Sequence, residues 1–253
     1  LPTNGTLYSK GLSRPYIKAD LNSQVDLALL DQAIGLPMAA IKGKLNLQLK
    51  AEGNYFTGQN PKNFRPDTIV LSIPNYQLNA SLQQGYYKQK DLPLAVSDLS
   101  ADIQSACTDA HWENISLTIS KLNALLGKGS LNGRIQSTGL MPAKIDADIK
   151  ARLQLDDINK AIPLQGYSFA GKFMAEIVAK GTLDNNKKQF PATRALLQWE
   201  DGRIQTPYYP AAIENIHLDG SAQSASGSYK DLAIEIAQFN FRFEDQPFTM
   251  TAK

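Results

Sequence analysis

The sequence predicts a mainly β protein: a curved, largely antiparallel sheet, in the form of a groove or half-pipe, built from two tandem repeats with one short helix each. Three observations predict it. Apolar and polar residues alternate with period two along most of the 253 residues. The text from Ile17 returns at Ile145, an offset of 128, with Ala19/Ala147, Asp20/Asp148, Leu27/Leu155, Gly43/Gly171, Lys44/Lys172 and Gly53/Gly181 identical. Finally, the apolar phase jumps once in "ISLTISKLNALL" and once in "LAIEIAQFNFRF", at Leu122 and Phe239, which lie 117 residues apart. One extra residue per strand is what a β-bulge inserts.

The strands expected in the first half are Tyr16–Leu27, Gly43–Gly53, Asp67–Ile73, Tyr76–Leu82, Val96–Ile103, Ile115–Leu122 and Leu125–Ile135. Those in the second are Ile145–Leu155, Ser168–Leu183, Ala192–Trp199, Ile213–Leu218, Leu232–Phe243 and Gln246–Thr251. Each shows alternation, and turn signals such as "NG", "DNN" and "NPKN" separate them. Two helices are expected, Asp26–Ile34 and Asp156–Ile162. Each starts at an aspartate, a good N-cap type, and each stops before Gly35 or Pro163. The offset falls from 128 to 117 further along, so the first copy holds 11 extra residues, placed between Asn54 and Leu94. The copies are set at residues 1–142 and 143–253, as one continuous unit. The text ends in the middle of an alternating run, so a segment of a longer chain is expected, with flanking repeats as its neighbours.

Composition narrows function. Net charge is +2, and no Lys/Arg run exceeds two residues, so no nucleic-acid partner is expected. No stretch approaches the roughly 18–20 apolar residues of a membrane helix. The single cysteine, Cys107, precludes an intrachain disulfide. His111 and His217 do not occupy equivalent places, and neither has further ligands clustered around it, so no metal is expected. Asp156–Asp157 reads as a helix start, Glu200–Asp201–Gly202 as a hairpin turn, and "GKGS" at Gly127–Ser130 as part of a strand without the upstream glycine of a phosphate-binding loop. No catalytic residues and no cofactor are expected, and the protein is read as a non-enzyme.

One-sided strands leave a dry face that must be covered. About twelve strands at ~4.8 Å spacing make a trough roughly 55–60 Å long. Its expected lining is Ile17, Leu21, Leu45, Leu47, Leu49, Ile115, Leu117 and Ile119 in the first copy. In the second it is Ile145, Ile149, Leu153, Phe173, Ile177, Ile234, Ile236, Phe239 and Phe241. The short helices plug an edge or an end.

The segment "KIDADIKARLQLDDINKAIPLQGYSFAGKFMAEIVAKGTL" resembles the C-terminal repeat region of the AsmA-like proteins of Gram-negative bacteria. The likeness lies in an alternating strand, a short helix ending at "IPL", and a strand opening with "GK" and closing with "KG". "ATRALLQWEDGRIQTPYYPAAIENIHLDG" is similar to the family's continuation. "ISLTISKLNALLGKGSLNGRIQSTGL" also matches, with Gly127, Gly129 and Gly133 in place, whereas "FNFRFEDQPFTMTA" departs by having no glycine. The family includes relatives of TamB and of bridge-like lipid transfer proteins. The resemblance implies a periplasmic segment of an inner-membrane-anchored protein, a β-groove that shields acyl chains, and a part in phospholipid transport to the outer membrane and in envelope integrity. The implied partner is phospholipid or another acyl-chain lipid, together with envelope proteins. The competing expectation is a closed β scaffold that binds proteins during outer-membrane assembly.

Overall fold

The computed structural model describes residues 3–59, 68–140, 142–162 and 164–252. The strands in chain order are β1 (Thr3–Lys10), β2 (Tyr16–Asp26), β3 (Ala39–Asn54), β4 (Phe56–Gln59), β5 (Thr68–Ser72), β6 (Asn75–Gln89), β7 (Val96–Cys107), β8 (Ser116–Leu126) and β9 (Gly129–Thr138). They continue with β10 (Ala143–Gln154), β11 (Ser168–Leu183), β12 (Ala192–Thr206), β13 (Tyr209–Ser224), β14 (Ala233–Phe243) and β15 (Gln246–Ala252). Helix α1 (Leu27–Ile34) joins β2 to β3, α2 (Leu155–Ala161) joins β10 to β11, and one 3-10 turn covers Trp112–Asn114.

Thirteen strands make one open antiparallel sheet in the order β1-β2-β3-β6-β7-β8-β9-β10-β11-β12-β13-β14-β15. Neighbours in the sheet are neighbours in the chain, except that β4 and β5 pair with each other in a separate two-stranded ribbon inserted between β3 and β6. The sheet does not close on itself, and β1 and β15 are its two edges. Every extensive strand–strand contact is between sheet neighbours, so no second sheet layer packs across the strands among the described residues. The buried apolar set is correspondingly slight: Ala19, Ala101, Cys107, Ala143, Ala147, Ala151, Leu155, Ala161, Ala175 and Ile216. Six of these ten are alanines on strands, walled in by larger neighbours on the same face.

The pairing registers match at the offsets seen in the sequence. Ile17 faces Gly53 and Val25 faces Leu45; 128 residues on, Ile145 faces Gly181 and Leu153 faces Phe173. Glu52 faces Asn75, and Lys180 faces Ala192, so the offset drops to 117 where the β4–β5 ribbon is inserted. One-residue bulges follow. Register shifts fall at Ile119/Leu122 in β8 and at Ile236/Phe239 in β14, where the apolar phase jumps. Others fall at Leu82/Gly85 and Trp199/Gly202, and at Ser97/Ser100 and Glu214/His217. In the first five of the six bulged strands the extra residue is left-handed: Gln84 (φ 52°), Asp98 (48°), Lys121 (52°), Asp201 (52°) and Asn215 (51°).

Several expectations change in detail. β1 and β4 were not expected. Residues Thr3–Lys10 carry one large aliphatic side chain, Leu7, and β4 is four residues with a glycine. Most strands run longer than their apolar alternation, because pairing continues past the bulges. Glu200–Asp201–Gly202 is a bulge inside β12, where the left-handed Asp201 supplies the backbone that a turn also needs. Gly127–Lys128 is the two-residue turn between β8 and β9, so the expected strand across it is two strands. Ile115 lies outside the strands: it closes the Trp112–Asn114 turn, its N–H reaching the Trp112 carbonyl at 3.3 Å. Asp67, the "NPKN" turn and Pro163 lie outside the described residues.

The helices differ in how they start. Asp26 caps α1, its Oδ1 accepting from Ala28 N at 2.9 Å and Leu29 N at 3.3 Å. The cap position of α2 is Gln154, with no side-chain cap bond, and Asp156 sits in the first turn. Asp156 Oδ2 accepts instead from Gln154 Nε2 at 2.9 Å and from Gly171 N at 3.1 Å. That second bond ties the helix to the next strand.

Candidate functional site

Directly opposed residues of an antiparallel pair share a face, so the ladder shows which side chains line up across the sheet. One row reads Leu21–Leu49–Leu78–Ser105–Leu117–Ser137–Ile145–Gly181. The next reads Ser23–Leu47–Ala80–Ile103–Ile119–Ile135–Ala147–Ala179. Ile149–Ile177–Ala195–Ala222–Ile234 and Leu153–Phe173–Trp199–Leu218–Phe239–Met250 extend the same face through the second half.

Of the expected lining residues, Leu21, Leu49, Leu117 and Ile145 share the first row, and Leu47 and Ile119 share the second. Leu45 faces Leu82 in the row beside them, and Ile17 faces Gly53 two residues along β2 from Ala19. Ile149, Ile177 and Ile234 form one row, and Leu153, Phe173 and Phe239 another. Ile236 faces Gly220, and Phe241 stacks on Phe248 of β15 with ring centroids 4.8 Å apart. Only Ile115 lies off the strands.

The bulges keep this face apolar. Without the extra residue at Lys121, Leu122 and Ala124 would swap sides with their neighbours. The bulge in β14 does the same for Phe239 and Phe241 after Ile234 and Ile236. An aromatic run crosses the second half. Phe173 meets Trp199 edge-on at 6.4 Å, and Trp199 Nε1 donates to the Ala170 carbonyl at 3.0 Å. Phe239 meets Phe241 at 5.2 Å.

The opposite face is charged and wet. Cross-strand pairs such as Lys18–Glu52 (3.2 Å), Arg134–Asp146 (2.8 Å) and Lys172–Glu200 (3.7 Å) run along it. Exposed pairs of this kind are each worth ~0.2–1 kcal/mol. They make that face soluble and fix which side of the sheet is which.

Other sequence candidates stay apart from this face or lack chemistry. His111 Nδ1 lies 2.6 Å from the Asp109 carbonyl, and His217 Nε2 lies 3.5 Å from Asp201. No group of three His, Cys, Asp or Glu residues suited to a metal occurs among the described residues. Among the described residues no helix is long and apolar enough to cross a membrane. Sequence reasoning missed the contributions of β6, β9 and β13, namely Leu78, Ile135 and Leu218. Their alternation was visible, but a single sequence does not give the register that places them in rows.

Comparison with protein-family models, curated proteins and solved structures finds no match. What the fold itself defines is a single-layer antiparallel meander with one apolar and one charged face.

Proposed function

We propose that this chain is a non-enzymatic module whose apolar sheet face shields lipid acyl chains. One observation supports the reading: an apolar face that runs through both halves of the sheet with no second layer over it among the described residues. Leaving such a face in water is costly at ~25 cal/mol per Å², and each CH₂ placed on it gains about 0.8 kcal/mol. Acyl chains fit because the rows carry no charge, whereas headgroups remain in solvent. In this reading acyl chains lie along the open apolar face, and the matched registers are two tandem copies of one β unit. The module works as a periplasmic segment of an inner-membrane-anchored protein that moves phospholipid between the two membranes and supports envelope integrity.

The test is mass spectrometry of lipid extracted from the chain purified out of cells. Copurified phospholipid in molar proportion to protein is expected; a lipid-free protein would overturn the reading. A protein-binding scaffold is the second reading, favoured by the open edges β1 and β15, whose outer backbone groups have no strand partner in the sheet.

A further inference from the structure

We infer that the corner formed by α1 and the adjoining ends of β3 and β6 docks on an anionic lipid-bilayer surface. The two short helices, each between two long strands, differ in burial. Helix α2 buries Leu155 and Ala161 and is bonded to the next strand. Helix α1 is apolar at six of its eight positions, yet buries none of them. Leu29 is 53% exposed, Ile34 63%, and Met38, just beyond the helix, 59%. A helix that is apolar around most of its circumference normally sits inside something. In this sheet α1 hangs at the end of β2, against β3, with its outer side in solvent.

The flanking chemistry selects the occupant. Lys42 and Lys44 lie near the start of β3, Lys88 lies near the end of β6 beside them, since Ala40 faces Lys88 and Lys42 faces Tyr86, and Lys90 follows β6 with its Nζ donating to the Leu36 carbonyl at 2.7 Å. Among the described residues none of these four lysines has a carboxylate within 4.0 Å. Three aspartates share the corner. Asp26 and Asp31 are engaged by backbone N–H groups, Asp31 Oδ2 accepting from Ile41 N at 3.3 Å, and Asp91 follows Lys90 in the chain. Lys42 lies 5.3 Å from the centre of the Tyr86 ring, and Tyr87, which faces Ile41 on the other side of the sheet, is exposed as well. Apolar side chains that enter hydrocarbon, tyrosines at the headgroup level and lysines that meet anionic phosphates are the three ingredients of interfacial binding. A protein partner would need an apolar patch rimmed by carboxylates, whereas an anionic bilayer presents hydrocarbon beneath a layer of phosphates. The inference is independent of the acyl-chain reading of the sheet face, because α1 lies at the end of the strands.

The experiment is flotation of the purified chain with phosphatidylglycerol vesicles and with phosphatidylcholine vesicles. Binding to the first and little to the second is expected, falling as salt rises. The Ile34→Asp/Met38→Asp double variant and the Lys42→Gln/Lys44→Gln/Lys88→Gln triple variant should each bind at least about tenfold more weakly. None of these residues is buried, and circular dichroism checks the fold. Met38→Cys carrying an environment-sensitive fluorophore gives a second readout, with a blue shift expected on adding anionic vesicles. Absence of binding to phosphatidylglycerol, equal binding to both lipids, unchanged binding by either variant, or no spectral shift would each overturn the proposal. Copurified lipid reports on the sheet face separately, so the two readings fail independently.

Discussion

Asp31 and Asn159, 128 residues apart, make the same bond. Each reaches from the short helix after a long strand to the backbone N–H near the start of the following strand: Asp31 Oδ2 to Ile41 N at 3.3 Å, and Asn159 Oδ1 to Phe169 N at 3.2 Å. Asn159 adds a second bond, Nδ2 to the Phe169 carbonyl at 2.7 Å. The amide therefore clamps α2 from both sides, whereas the carboxylate holds α1 by one acceptor only. That difference agrees with the burial of α2 and the exposure of α1. Replacing Asn159 with Ala should cost about 1–3 kcal/mol, because two part-buried backbone groups lose their partner. Asp31→Ala should cost less, and paired denaturant titrations of the two variants compare them.

Phe173 sits between Leu153 and Trp199 in one cross-strand row of the apolar face. Phe173→Asp places a carboxylate among apolar side chains, which is unfavourable for acyl chains. If the face lies open, the carboxylate reaches water and the fold survives. On the proposed acyl-chain reading, the expected outcome is a folded protein, by thermal melting, that transfers a fluorescent phospholipid more slowly than the parent. A folded variant with unchanged transfer would remove Phe173 from the lipid path.

Gly171 has φ 98°, and a Cβ built there would lie 2.5 Å from the Glu200 carbonyl oxygen and 2.6 Å from that of Asp201. The glycine lets β11 approach the bulge of β12, and its N–H also holds Asp156. Gly171→Ala should destabilise by roughly 1–3 kcal/mol or more through strain at a left-handed position. A melting temperature equal to that of the parent would contradict this close approach.

Asp231 is held well below the usual carboxylate range, to a pKa of about 2, chiefly by the hydrogen bond from Ser224 Oγ and next by the N–H of Ser226. Because the folded state favours the carboxylate, its contribution is fully present above the unfolded pKa. It is lost as pH falls from near 4 through about 2. Thermal melts between pH 6 and 2 should show a steeper acid-side fall in the parent than in Asp231→Asn. Parallel pH profiles would show that the carboxylate carries no such stabilisation.

The sequence made the long one-sided strands legible because β10 and β11 alternate charge with aliphatic residues almost without fault. The bulges in β8 and β14 were legible for the same reason, since a slip of one residue exposes the wrong face. Bulges with the chemistry of turns were not. Asp201–Gly202 has the residues of a hairpin turn, and only the continued pairing of β12 with β13 beyond it settles which it is. The turn at Gly127–Lys128 hid because Leu125 and Leu131 keep an apolar rhythm across it. The aspartate before α1 caps it, but Asp156 does not cap α2: the helix starts one residue before it, and its carboxylate accepts from the amide of Gly171. The apolar face was legible as a list of residues; its continuity across strands needed the register.

A sheet whose strands pair in chain order is close to a one-dimensional chain of cooperating units. Each strand is stabilised by its two neighbours and barely by anything further away. Stability is therefore a sum of local interfaces, and the loss of one does not have to unravel the rest. Opening should begin at the rims, β1 and β15, which are exposed along their whole length. Amide hydrogen exchange is expected to slow strand by strand toward the middle of the sheet, as in a zipper worn from both ends. The same arithmetic lets a pair of strands enter the chain without rethreading the sheet: β4 and β5 lie between β3 and β6 in sequence, yet pair only with each other and leave β3 paired with β6.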